Sequence, residues 1–227
     1  MATAFRATSR GYRADLDAHE RRLLSSLCRD VIDLLQARTA DLADGDDAGD
    51  PGHAMEDSVF AHFSAELAGL EGSETLEAPT DAVLSRLLPD ASRDEAQAGQ
   101  IRRLSEGSLR ESKIADLRAA RMLLETSAVS VSEEQAPMFG RALNDVRLTL
   151  ATRLDVWSEE DAERVHRQAV SGRVKDTESF MAEIYTFVTW LQETLFTAMV
   201  EFLPDSGHQA AEEGNHGGPE ADGGSTP

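Results

Sequence analysis

The chain has 227 residues, of which 41% are hydrophobic and 28% charged, values close to those of globular proteins. Its 42 acidic residues outnumber its 22 Lys and Arg, and the formal net charge of −20 argues against a surface that binds phosphates nonspecifically. The single cysteine excludes an intramolecular disulfide framework.

The first residues predict a hairpin followed by a long helix. Residues 5–8 and 12–16 alternate in polarity around a three-residue loop, Ser9 to Gly11, with glycine in the left-handed position. Asp17 and Glu20 have the spacing of a capping box, so the helix should begin near Ala18. Its apolar positions recur every three or four residues, and its end is predicted within residues 38–43.

An acidic loop and two shorter helices are predicted next. Residues 44–56 are rich in Asp and Gly and lack Lys and Arg, which is typical of a solvated loop. A helix over about 57–68 would place its apolar side chains on one face. Thr80 is then predicted to cap a brief helix that Pro89 ends.

The middle of the chain is predicted to form two helices within residues 93–126. Gly107 and Ser108 indicate a break between them, with Ser108 and Glu111 as a second capping box. Residues 128–132 alternate in polarity, and a third short strand beside the hairpin is one interpretation of them.

Three further helices follow. Ser132 with Gln135 predicts a start for a helix over 133–154, and Ser158 with Asp161 a start for a polar helix that ends before Gly172. A last helix over 178–203 is apolar around most of its circumference and contains four of the eight Phe residues. We therefore expect it to bury part of this surface in a homodimer, with a central helix of the monomer as the competing outcome.

These elements predict a mainly α protein, a helical bundle with a small N-terminal β-hairpin. We expect one helical domain over residues 1–203 and a disordered acidic tail over 204–227, which has too few apolar residues to form a core. The sequence shows neither a signal peptide nor about 20 consecutive apolar residues, so we expect a cytoplasmic protein without a membrane span.

Two groups of residues are candidates for function on chemical grounds. Cys28 neighbours Arg29 and is a candidate redox thiol, although its place on the apolar face of the first helix favours a buried, inert side chain. Basic residues of the middle helices are candidate contacts for an acidic partner or for phosphates, and they are expected to be exposed; ordinary solvated helix faces have the same pattern. The candidate contacts are Arg102, Arg103, Arg110 and Lys113.

No pattern typical of an enzyme is present. The six histidines lack the spacing of a metal site such as HExxH, and CxxC, P-loop and dinucleotide-binding glycine motifs are missing from the sequence. We expect no catalytic, cofactor-binding or metal-binding residues and a protein that is not an enzyme.

Three segments resemble one known family. The sequences ALNDVRLTLATRL at 142–154, RLLPDA at 86–91 and LDAHERRLL at 16–24 are similar to those of the AosR-like family of actinobacterial proteins, formerly a domain of unknown function. The polar residues of the first segment could form a cluster that binds a partner or an anion, but hydrogen-bonded ion pairs at the border of the core are the favoured interpretation. These residues are Asn144, Asp145, Arg147 and Arg153.

The resemblance implies a regulatory protein. Its relatives are commonly encoded beside the adaptor ClpS, and some are linked to oxidation sensing and to transcription alongside a sigma factor. The chain is therefore expected to be a non-enzymatic, transcription-associated stress regulator that contacts RNA polymerase or a sigma factor and binds DNA weakly or indirectly. The alternative is an adaptor or interaction module of the ClpS protein-degradation machinery.

Overall fold

A computed structural model describes residues 2–46, 75–126, 128–171 and 176–201. Within these residues the protein is mainly helical, with a small antiparallel sheet, which confirms the predicted fold class. The strands are β1 (Arg6–Thr8), β2 (Gly11–Asp15) and β3 (Ala128–Val131). The helices are α1 (Ala18–Asp46), α2 (Ala82–Leu87), α3 (Glu95–Leu123), α4 (Ala136–Arg153), α5 (Glu159–Ser171) and α6 (Thr177–Glu201).

The sheet consists of the hairpin and one strand from the middle of the chain. Its order is β1-β2-β3, so the predicted third strand is confirmed. The predicted three-residue loop is wrong, because Thr8 pairs with Gly11 and only two residues connect the strands. Gly11 has φ of 111°, and a Cβ atom there would lie 2.3 Å from the Val131 carbonyl oxygen of β3, so only glycine fits.

The helix starts follow local hydrogen bonding. Asp17 accepts from the backbone N–H of His19 and of Glu20, while the Glu20 carboxylate accepts from the Asp17 N–H, which confirms the first capping box. Ser158 and Asp161 exchange the same bonds at the start of α5. Helix α2 differs from its prediction, since Asp81 and not Thr80 caps it.

Two other predicted boundaries are wrong. The middle segment is one continuous helix, α3, that passes through Gly107, and the Ser108 hydroxyl donates to the Ser105 carbonyl inside it. Helix α1 continues to Asp46, so the first residues of the predicted acidic loop are helical. The rest of that loop, the helix predicted over 57–68 and the tail over 204–227 lie outside the described residues.

Helix α4 is the centre of the bundle, a place that was predicted for the last helix only as the alternative to a homodimer contact. It packs against α1, α2, α3 and α6, while α6 packs against α4 and α5 and touches the first two strands. Phe139 of α4 is fully buried and meets Phe5 edge-on, with ring centroids 5.9 Å apart. The core therefore surrounds the helix that contains most of the family-like segment.

Candidate functional site

The predicted basic contact surface is largely a buried ion cluster. Arg102 and Arg110 are buried, contrary to the expected exposure, and both bond to Glu106 one turn away on α3. The Glu106 carboxylate is 3.0 Å from Arg38 Nε, 2.9 Å from Arg102 Nη1 and 3.2 Å from Arg110 Nη1. These guanidinium groups form ion pairs inside the fold, where a macromolecular partner does not reach them.

Arg102 connects this cluster to the loop after α2. It donates to the Leu88 carbonyl at 3.0 Å and to the Asp90 carboxylate at 2.6 Å. Burial opposes its charge, but the bonds to Asp90 and Glu106 prevail and raise the pKa of Arg102. Leu88 and Asp90 both lie in segment 86–91, so these contacts with Arg102 of α3 give part of that segment a structural role.

The other two predicted contacts are only partly accessible. Arg103 is half-buried. Lys113 is half-buried and its Nζ donates to Asp145 Oδ1 at 2.7 Å, which joins α3 to the central helix. The four basic residues therefore do not form one exposed patch.

The polar residues of the family-like segment also form structural contacts. Asp145 is buried, and burial raises the pKa of its carboxyl group although Lys113 acts in the opposite direction. Asn144 Oδ1 accepts from Arg147 Nη2 at 2.8 Å on the same helix. Arg153 is exposed at the end of α4.

Cys28 lies on the buried face of α1. Its side chain is buried, and burial raises the pKa of its thiol to about 12, against the smaller opposing effect of Arg121. A reactive cysteine needs access and a lowered pKa, because the thiolate is the nucleophile. This position has neither property.

A wide groove lies between α5 and α6, and the sequence did not predict it. Its volume is about 840 Å³ and it is open to solvent. On α6, Phe187 and Trp190 stack with ring centroids 6.2 Å apart. The apolar side chains that α5 contributes to the lining are small: Ala162, Ala169 and Val170.

The groove has this form because the two helices differ in side-chain size. The alanines of α5 bring it against α6 without filling the space beside the aromatic rings. Val170, at the end of α5, is 72% exposed. Thr186 and Thr189, on the α6 side of the groove, have buried hydroxyls without a hydrogen-bond partner, an uncommon state in a folded core.

The rim of the groove is acidic. Glu159 and Glu163 lie on the α5 side, and Glu183 and Glu193 lie on the α6 side; all four are exposed. The rim has one permanent cation, Arg167, whose Nε donates to the Glu163 carbonyl. Four carboxylates against one guanidinium leave an excess of three negative charges among the Glu and Arg side chains of the lining. The site thus combines a negative border with an apolar floor, which consists of Ala162, Ala169, Val170, Phe187 and Trp190.

Among residues 2–46, 75–126, 128–171 and 176–201, no three His, Cys, Asp or Glu side chains lie close enough together to hold a metal ion. In the same residues, no helix has both the length and the apolar composition needed to cross a bilayer.

A family model described as "Domain of unknown function (DUF2017)" matches residues 2–199. Neither the curated proteins nor the solved structures contain a significant match.

Proposed function

The chain belongs to the DUF2017 family, whose model spans nearly all of its helices, and we propose that this member is a non-enzymatic cytoplasmic regulator that acts through protein contacts. The observation that supports this role is the open apolar groove between α5 and α6. Soluble proteins rarely leave large aromatic side chains in a solvent-open groove, and such surfaces are typical of partner binding.

The partner is proposed from the sequence resemblance. Similarity of residues 16–24, 86–91 and 142–154 to AosR-like regulators supports a transcription-associated stress response, with RNA polymerase or a sigma factor as the partner. The net charge of −20 and the burial of Arg102 and Arg110 support a protein partner over direct DNA binding, since nonspecific DNA binding requires several accessible cations.

A binding assay with and without RNA polymerase tests this function. Labelled promoter DNA is titrated with the protein across a series of salt concentrations, alone and with holoenzyme. We expect retention only with holoenzyme. Tight binding to DNA alone at physiological salt would contradict the partner-dependent mechanism.

Affinity purification from native cells distinguishes the alternative function. Recovery of polymerase or a sigma factor would support the proposal. Recovery of ClpS or protease components without polymerase would support the degradation adaptor instead. A variant with Glu163→Lys and Glu193→Lys should lose the specific partner if the groove is the contact surface.

A further inference from the structure

We propose that the groove between α5 and α6 binds a basic amphipathic helix of a partner protein. This inference rests on the proposed function, because it specifies the chemistry of the partner segment. It uses three properties of the groove: its length, its apolar floor and the charge of its rim.

The length of the groove fits about three turns of helix. The lining residues of α5 extend from Glu159 to Val170, and those of α6 from Glu183 to Glu193. At about 1.5 Å per residue, these stretches are about 15 to 17 Å long, equal to a helix of about 11 residues. An elongated groove that two helices border and that is open to solvent is suited to a third helix.

The floor determines which face of that helix enters. Phe187 and Trp190 present aromatic surface on one wall, and Val170 presents a branched side chain on the other. A helix with apolar residues at i, i+3, i+4 and i+7 would cover this surface and bury its own apolar face.

The acidic rim determines the charge of the partner residues that flank the apolar stripe of its helix. Glu159, Glu163, Glu183 and Glu193 surround the floor on both sides, so Lys or Arg beside the apolar stripe of the partner would face carboxylates. A second copy of this chain fits poorly, because a two-fold interface would bring two acidic rims together. Charge complementarity therefore selects a partner segment of opposite sign.

Fluorescence of Trp190 reports directly on occupancy. The chain has two Trp residues, and Trp157→Phe leaves Trp190 alone in the groove wall. The probes are a designed Leu/Lys amphipathic helix and a Leu/Glu helix with the same Leu positions, each of about 12 residues to match the groove. We expect saturable binding of the Leu/Lys peptide, with a shift of Trp190 emission to shorter wavelength, and at least about tenfold weaker binding of the Leu/Glu peptide.

Matched variants locate the binding site. Glu163→Lys with Glu193→Lys should weaken Leu/Lys binding about tenfold, whereas Glu111→Lys with Glu125→Lys makes the same charge change at exposed positions outside the groove and should alter it less than about twofold. Val170→Asn should weaken binding about threefold to tenfold. Met122→Asn, at a side chain with similar exposure, should not.

The outcomes separate this proposal from the proposed function. Each of four results would overturn the basic-helix assignment. The two peptides could bind equally well, the two double variants could have equal effects, a second copy of the chain could saturate the groove, or Trp190 emission could fail to respond. If holoenzyme is retained in that case, the proposed function stands without it. If the Leu/Lys peptide binds at the groove but holoenzyme is not retained, the groove assignment stands and the proposed function fails.

Discussion

Replacing Glu106 by Gln should destabilise the protein strongly, although the substitution preserves size and one acceptor oxygen. The side chain of Glu106 is 2% exposed and accepts bonds from Arg38, Arg102 and Arg110. Gln would remove the negative charge from the centre of three guanidinium groups and direct an amide donor at one of them.

The magnitude follows from the burial of these cations. Removing one partner of a buried ion pair costs about 3 to 5 kcal/mol, because the remaining charge is left uncompensated. Asp90 still pairs with Arg102, and the side chains of Arg38 and Arg110 are 12% and 10% exposed, which favours the lower end, about 3 kcal/mol. For a chain of this size, such a loss lowers Tm by about 6 to 12 °C.

Urea unfolding followed by circular dichroism measures this loss. Glu111→Gln is the matched control, because Glu111 is an exposed residue of the same helix and its substitution should change stability by less than about 0.5 kcal/mol. The combined change of Arg102, Arg103 and Arg110 to Glu should destabilise even more, since it places further carboxylates beside Glu106. A Glu106→Gln variant as stable as the control would refute the structural role of the cluster.

Three other measurements test the remaining assignments. Cys28 should resist alkylation in the folded protein and react once urea unfolds it, because its thiol is buried with a pKa raised to about 12; rapid labelling of the native chain would restore the redox interpretation. The pKa of Asp145 is raised above its usual 3.8, so the folded chain holds this proton more tightly than the unfolded chain, and stability should fall as pH rises from 3.8 through the folded value. Asp145→Asn should lack this dependence, and parallel slopes for the two proteins in unfolding experiments across that pH range would contradict the assignment. Light scattering at high micromolar concentration tests the predicted homodimer, and a monomer mass would exclude it.

Features that depend on neighbouring residues could be predicted from the sequence. The capping boxes at Asp17 and Ser158 form because their side chains and the backbone amides that they satisfy are three residues apart. Helical periodicity likewise predicted the apolar face of α1 and the burial of Cys28 on it. The break at Gly107 was wrong because one glycine costs a helix only about 1 kcal/mol, which the contacts of α3 with α1 and α4 can offset.

Features that depend on which elements meet were decided by the tertiary structure alone. The sequence shows that Arg102 and Arg110 are charged, but their burial depends on Arg38 and Asp90, which other elements bring to the same place. The sequence left two outcomes for the last helix, a homodimer contact or a central place in the monomer. In the structure it is α4 that packs against four other helices, and Lys113 of α3 pairs with its buried Asp145.

The groove is the clearest case of this division. Composition alone determined that α6 is rich in aromatic and other apolar residues, and that α5 is polar, with Ala162 and Ala169 among its few apolar residues. Only the packing of α5 beside α6 decided that the space next to Phe187 and Trp190 remains open, because a cavity depends on the volumes of side chains that meet across two helices. No periodicity within either helix contains that information.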